Sequence, residues 1–187
     1  MATAAVTTER LMTVAEFMAL PYDGKLRELV AGKVVEMNRP KPPHGKCMFR
    51  IARLLGAYSD DHDIGHLWGG DSGIVTTRNP DSVRGADAAF CSYSRVSKDA
   101  FPDDYFEVAP ELLFEVFSPD DRWPAVRKKI DEYLDFGVLY VCLLEPELKN
   151  MQVHSANRPP YTLQAADEFA LADVLPDFRC RVSQFFE

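Results

Sequence analysis

The sequence lacks any long hydrophobic segment. Its longest apolar run, at residues 138–144, has the length of a buried strand and falls far short of the roughly 20 residues that a helix needs to cross a bilayer. Residues 1–10 also lack the basic start and apolar stretch of a secretory signal. We therefore expect a protein that does not span a membrane, with a loose tail over about residues 1–10.

Cysteine is scarce and scattered. The residues are Cys47, Cys91, Cys142 and Cys180, which lie mostly inside apolar segments. No C-x-x-C pair is present, so the spacing indicates neither a zinc site nor a redox motif. This pattern predicts buried free thiols in a reducing cytoplasm.

Positive charge is in deficit, because the formal net charge is −8. A protein that coats nucleic acid non-specifically needs clustered Lys and Arg to release counterions, so any nucleic-acid contact here must use a local basic surface. No repeat, low-complexity tract or block of like charge marks a boundary between domains. A chain of 187 residues can form one ordinary core, so we expect one domain over residues 1–187.

Hydrophobic periodicity predicts a mixed α/β fold. Thr13 and Glu16 form a capping-box pattern, which predicts a short helix to about Leu20. Gly32 separates two β-rich pieces and predicts a hairpin. A strand, a helix ended by Gly137 and an apolar strand predict a parallel crossover. After the first helix, the predicted pieces are hairpin strands at 26–30 and 33–37, a helix at 44–58, strands at 66–68, 73–77, 85–91 and 112–117, a helix at 126–136, a strand at 138–144, and antiparallel additions at 151–154, 161–163 and 169–175.

Two acidic residues lie inside predicted strands. Glu115 is the one acid in the apolar run 112–117, and Asp87 stands among alanines in the strand at 85–91. A buried carboxylate is costly unless a metal, a cation or several donors satisfy it. Taken singly, Glu115 is equally well a strand-end residue pointing to solvent, and Asp87 a turn residue after Gly85.

The two acids together favour a metal site over these alternatives. Carboxylates from adjacent strands can bind Mg²⁺, which prefers a few carboxylates plus water and phosphate oxygens. Lys129, on the following helix, could orient an attacking water or offset charge in the transition state of phosphodiester hydrolysis. Without the acids, Lys129 could equally be a solvated helix lysine beside Arg127 and Lys128.

The order of these motifs resembles that of the Uma2 family. The matching features are the hairpin sequence at 27–32, His44 in the next helix, Asp87 in a short strand, the segment at 110–119, and then Lys129, Tyr133 and Gly137. The family is known as restriction endonuclease-like nucleases of the PD-(D/E)XK superfamily. The resemblance covers residues 13–146, most of the chain. The sequence departs from the superfamily pattern at Ala86, where proline is usual, and at Phe117, so that the lysine role passes to Lys129. It also departs from the family pattern after Val138, where residues 139–142 replace the usual Glu-Tyr-Trp.

The resemblance implies a restriction endonuclease-like mixed sheet flanked by helices, with an N-terminal hairpin and added C-terminal strands. It implies that Asp87 and Glu115, joined by Val116, bind Mg²⁺ or Mn²⁺, and that Lys129 assists. Glu28 matches a family acid that could bind the metal or position its water; a hairpin salt bridge to Arg27 or Lys33 is the alternative.

We also predict contacts to the substrate. His44 could contact phosphate as an imidazolium, although it could simply be a residue at the start of a helix. Access of an anionic substrate would rely on basic side chains. These are Arg50, Arg53, Arg84, Arg122, Arg127 and Lys128, of which we assign Arg84 to the substrate-binding site.

Three functions remain open on the sequence alone. The first is a metal-dependent endonuclease acting on DNA, which by analogy would form a homodimer. The second is a catalytically silent binding or regulatory module that dimerises through an apolar edge. The third is a hydrolase of small phosphodiesters, because the chemistry of the site does not fix the size of the substrate.

Overall fold

The computed structural model describes residues 10–187, so most of the predicted tail lies outside the described residues. Eight strands form one mixed sheet, and a further pair forms a small second sheet. The helices are α1 (Val14–Met18), α2 (Pro42–Asp61) and α3 (Trp123–Phe136). The strands are β1 (Arg27–Val30), β2 (Lys33–Glu36), β3 (Gly65–Thr77), β4 (Ser82–Ser92), β5 (Leu112–Val116), β6 (Tyr140–Glu145), β7 (Asn150–Ser155), β8 (Arg158–Leu163), β9 (Glu168–Phe169) and β10 (Cys180–Arg181).

The N-terminal elements form as the sequence patterns predict. Thr13 caps α1 through a capping box with Glu16, and the helix ends at Met18, slightly before the predicted end. β1 and β2 form the antiparallel hairpin around Ala31 and Gly32. Both turn residues have positive φ, a conformation that glycine adopts at little cost.

The strands β5 and β6 are parallel and are connected through α3, which confirms the predicted parallel crossover. α3 ends at Gly137, whose φ of 110° gives the left-handed cap that glycine favours. β7 and β8 extend the sheet in antiparallel fashion. Of the predicted strand at 169–175, only residue 169 is extended, and it belongs to the small second sheet.

Alternating side chains of β5 bury opposite faces of the sheet. Leu112 and Phe114 pack in the cluster that contains the apolar stripe of α2, whereas Leu113 packs in the cluster that contains Ile130 and Tyr133 of α3. The sheet is therefore covered on both faces, which explains the nearly continuous apolar run in β5. The four cysteines are buried and free, as predicted.

One prediction about the strands needs correction. The pieces predicted at 66–68 and 73–77 belong to a single strand, β3, which pairs with β4 along its length. The pairing register shifts between Gly69 and Ser72, where Gly70 and Asp71 have positive φ. Because this β-bulge interrupts the hydrophobic alternation, the sequence pattern does not show that the strand is continuous.

Candidate active site

The candidate site forms where β1 and β5 separate along one edge of β4. Because β3 occupies the other edge, β1 and β5 share this one, with β1 pairing at Val83 and β5 at residues 88–90. Between these points a cleft of about 580 Å³ opens. Its lining includes all the acids predicted for catalysis, together with the predicted lysine and histidine: Glu28, His44, Asp87, Glu115 and Lys129.

Side chains take the place of a neighbouring strand at Gly85. The Gly85 N–H donates to Glu28 Oε1 at 3.1 Å. The Gly85 carbonyl accepts from Lys129 Nζ at 2.8 Å and from Tyr133 Oη at 3.3 Å. The divergence of the strands thus leaves backbone groups that must be paired, and their pairing fixes the positions of Glu28 and Lys129.

Lys129 lies at the centre of the buried polar network. Its ammonium group also contacts Glu115 Oε2 at 2.9 Å and Glu28 Oε1 at 3.1 Å. Burial opposes the positive charge, but Glu115 and the neighbouring acids outweigh it and hold the pKa of Lys129 well above its usual range. Lys129 is therefore a charged donor in this site.

Glu115 is held from two sides. Besides Lys129 on Oε2, Tyr133 Oη donates to Oε1 at 3.0 Å. Burial raises the pKa of Glu115 to about 8; the charge of Lys129 opposes this rise and that of Asp87 adds to it. Burial and the neighbouring negative charge therefore favour the protonated form of this carboxyl group more than in a free glutamate.

Asp87 is fixed by a strand and a helix. Its Oδ2 accepts from the main-chain N–H of Val116 at 2.6 Å and lies 3.3 Å from Nε2 of His44, on α2. Burial lowers the pKa of His44, but the hydrogen bond and charge of Asp87 reverse this, so the net pKa is raised. Among residues 10–187, the buried Nδ1 of His44 has no hydrogen-bond partner.

Arg84 has a different environment from the predicted one. It is 6% exposed and lies between two carboxylates, with Nη1 2.9 Å from Glu28 Oε2 and Nη2 2.6 Å from Glu132 Oε2. Its Nε also donates to both oxygens of Glu132. Because its donors face carboxylates, Arg84 holds Glu28 in place, and we no longer assign it a substrate contact.

The predicted metal-binding residues meet in this cleft, although without a complete cage. Within residues 10–187, no group of three or more His, Cys, Asp or Glu side chains is arranged to hold a metal ion. Asp87 and Glu115 supply hard oxygen donors, and the side chain of Val116 is buried in the core, so this residue reaches the site only through its main chain. Two carboxylates completed by water and phosphate oxygens are a normal environment for Mg²⁺.

The charge balance of the cleft also suits a divalent cation. The carboxylates that interact with Arg84, Lys129 and His44 outnumber these three side chains; they are Glu28, Asp71, Asp87, Glu115 and Glu132. Excess negative charge in a desolvated site is unfavourable and raises carboxyl pKa values, as at Glu115. The donor set therefore fits Mg²⁺ or Mn²⁺.

Three residues near the site were missed by sequence reasoning. Tyr133 was noted only as a spacing marker, although its position four residues after Lys129 places both on one helix face. No pattern in the sequence indicated that Glu132 lies near the site. Asp71 lies in the bulge of β3 and lines the cleft; desolvation and the charge of Asp87 raise its pKa. The glycines around Asp71 were the available signal, because glycine within a strand pattern often marks a bulge.

The rim of the cleft carries several basic side chains, together with the acids Glu36, Asp120 and Asp121. Of the residues predicted to guide substrate, Arg84 and Arg122 line the cleft, whereas Arg50, Arg53, Arg127 and Lys128 do not. The connection between β2 and α2 adds Arg39 and Lys41, and Lys41 Nζ lies 2.8 Å from Asp120 on the opposite wall. Within the part of the chain that the structure describes, Arg39 and Arg122 have no carboxylate partner.

Replacement of Glu115 by glutamine is expected to make metal-free stability less dependent on pH. The folded-state pKa of Glu115, about 8, is above the unfolded value of about 4.3, so its stabilising contribution is present below the unfolded pKa and is lost as pH rises through the folded pKa. The free energy of unfolding of the variant, relative to that of the wild type, should therefore rise by more than ~1 kcal/mol between about pH 5 and pH 8. Urea unfolding in EDTA across this range measures the gain; a constant difference would contradict it.

The fold and the cleft define the class of protein. A mixed sheet flanked by helices brings carboxylates on adjacent strands and a lysine on the next helix into one cleft, as the resemblance in the sequence implied. The chain belongs to the Uma2 family, whose model, described as "Putative restriction endonuclease", matches residues 14–183. The family resemblance found in the sequence is thereby confirmed.

A solved structure supports the fold class independently. A protein of Anabaena variabilis, whose crystal structure is titled a putative nuclease belonging to DUF820, superposes with a TM-score of 0.81 at 17% sequence identity. The match covers 94% of this chain and 97% of that chain. At this identity the similarity concerns the fold alone, and it confirms the predicted mixed α/β class. No curated protein matched the chain. Among the described residues, no helix is long and apolar enough to cross a membrane.

Proposed function

We propose that this protein is a metal-dependent endonuclease that hydrolyses phosphodiester bonds in DNA. The observation that carries the proposal is the convergence of Asp87, Glu115 and Lys129 in one cleft: Lys129 contacts Glu115 directly, and the charge of Asp87 acts on both. These residues come from two strands and a helix that are distant in sequence. Packing of the hydrophobic core does not explain why several carboxylates are buried in this cleft, because burial of a carboxylate is costly.

In this proposal, Asp87 and Glu115, together with the main chain of Val116, would hold Mg²⁺ or Mn²⁺. The cation would polarise the phosphoryl oxygen and lower the pKa of a bound water. Lys129, kept charged by its carboxylate neighbours, would stabilise negative charge developing at the scissile phosphate. Glu28 would hold Lys129 in place, because its Oε1 contacts both Lys129 and the N–H of Gly85.

Binding of the substrate would use the rim. Arg39 and Arg122, which lack carboxylate partners in the described chain, are available to contact phosphates. His44 holds Asp87 through Nε2 and lies close enough to the cleft to contact a phosphate as an imidazolium. These basic side chains at the rim would allow a protein of net charge −8 to bind nucleic acid. The homodimer that both-strand cleavage would require remains a prediction.

A second candidate is the catalytically silent binding module. The observation in its favour is that both oxygens of Glu115 already have donors, Lys129 and Tyr133, without any cation. A network satisfied in this way could serve structure alone. The endonuclease is the better supported function, because the silent module gives no reason for the excess negative charge around Glu115 and Asp87.

The proposal is tested by metal binding and cleavage with purified wild-type protein. Supercoiled plasmid, linear duplex, single-stranded DNA and RNA are incubated with Mn²⁺, with Mg²⁺ or with EDTA, and calorimetry measures Mn²⁺ binding. We expect plasmid nicking or linearisation only with metal. Mn²⁺ binding and cleavage of bis-p-nitrophenyl phosphate without cleavage of any nucleic acid would indicate the small-phosphodiester hydrolase. If the protein neither binds Mn²⁺ nor cleaves any substrate, the proposal is rejected in favour of the silent module.

A further inference from the structure

Asp71 is an acidic residue whose backbone conformation and surroundings are both unfavourable. Its φ is 60°, in the left-handed region that residues with a Cβ rarely adopt, although aspartate tolerates it better than most. Its carboxylate lines the cleft and forms no hydrogen bond or ion pair with any described residue. An unpaired acid in a strained position next to other acids lowers stability, so a functional explanation is needed.

The bulge in β3 places Asp71 opposite Asp87. β3 and β4 pair at Gly69 with Ala88 and at Ser72 with Ala86, so Gly70 and Asp71 together face Asp87. A regular strand would place one residue there, and the extra residue turns the chain toward the cleft. The backbone is constrained here, because a Cβ added at Gly69 would lie 2.6 Å from the carbonyl oxygen of Asp87.

Gly85 provides the space for Asp71. A Cβ at Gly85 would lie 3.0 Å from the carbonyl oxygen and 3.2 Å from the Cβ of Asp71. Gly85 is also the residue whose main chain holds Glu28 and Lys129. One glycine therefore fixes the position of Asp71 relative to the other charged groups of the site.

We propose that Asp71 is a further carboxylate of the cation site, positioned by the bulge of β3 opposite Asp87. The inference rests on the proposed function, since it assumes that the cleft binds a divalent cation. Asp71 is exposed, whereas Asp87 is 4% exposed. Asp71 would therefore contribute its oxygens from the mouth of the cleft, either to the cation or to a water bound to it.

The test uses Mn²⁺ alone as the titrant in calorimetry. Asp71→Asn is expected to weaken Mn²⁺ binding by at least about 10-fold, as loss of an outer ligand typically does. The matched control is Asp177→Asn, because Asp177 has nearly the same left-handed backbone, φ 62°, and does not line the cleft. Its binding should equal that of the wild type. Asp71→Gly relieves the backbone strain while removing the carboxylate, and it should weaken binding as Asp71→Asn does.

Each contrary result has a distinct meaning. If Asp71→Asn or Asp71→Gly binds Mn²⁺ as the wild type does while Asp87→Asn does not bind, the inference about Asp71 is wrong and the proposed function survives. If the wild type itself binds no Mn²⁺, the proposed function fails and the inference fails with it. Thermal unfolding in EDTA confirms that each variant is folded.

Discussion

Asp87→Asn is expected to reduce metal-dependent cleavage by at least about 1,000-fold and to abolish Mn²⁺ binding, while the metal-free protein remains as stable as the wild type or becomes more stable. The loss corresponds to about 4 kcal/mol of transition-state stabilisation, which is in the range that a bound metal supplies. Stability is retained because an asparagine oxygen can still accept from the N–H of Val116. Removal of the negative charge also relieves repulsion with Glu115.

Cleavage rates, calorimetry and thermal unfolding in EDTA together measure these effects. Asp177→Asn again serves as the matched control, since it makes the same chemical change outside the cleft. Cleavage by Asp87→Asn at the wild-type rate would remove Asp87 from the chemistry. A large loss of stability without metal would show instead that Asp87 serves mainly to hold β5 and α2 together.

Arg84→Met is expected to destabilise the protein by about 3–5 kcal/mol, the usual cost of removing one partner from a buried ion pair. The substitution leaves Glu28 and Glu132 without their guanidinium partner, and both are largely buried, with 6% and 11% of their side chains exposed. Methionine keeps a similar length and the apolar contacts of the arginine stem, so the loss of stability is electrostatic.

Urea unfolding followed by circular dichroism measures this loss. Arg53→Met, on the exposed face of α2, is the matched control and should change stability by no more than about 0.5 kcal/mol. Arg84→Lys should lie between the wild type and Arg84→Met, because an ammonium cannot bridge two carboxylates as a guanidinium does. A loss below about 1 kcal/mol for Arg84→Met, with weakened DNA binding, would restore Arg84 as a substrate-binding residue.

Much of the fold could be predicted from local patterns. The capping box at Thr13, the glycine turn of the hairpin and the cap at Gly137 all form as predicted. These features depend on neighbouring residues, so the sequence contains the information directly. The continuity of β3 was missed, because its bulge depends on pairing with β4 and interrupts the alternation that reveals a strand.

The candidate site was predictable only in part. An acid within an apolar strand stands out in a sequence, because burial makes it costly, and this indicated Asp87 and Glu115. Asp71 lies between glycines in a segment that resembles a turn, so it gave no such signal. Arg84 was predicted to bind the substrate, because a sequence does not show whether a basic side chain already has carboxylate partners.

By itself, the sequence determined the class of fold, the family and the residues whose burial would require a reason. The tertiary structure decided where the charges meet. β1 and β5 separate along β4, and the unpaired backbone of Gly85 then gathers Glu28, Lys129 and Tyr133 around it. The physical reason is that the cost of burying a charge depends on its partners, and the partners here come from strands and helices distant in sequence, which only the folded chain brings together.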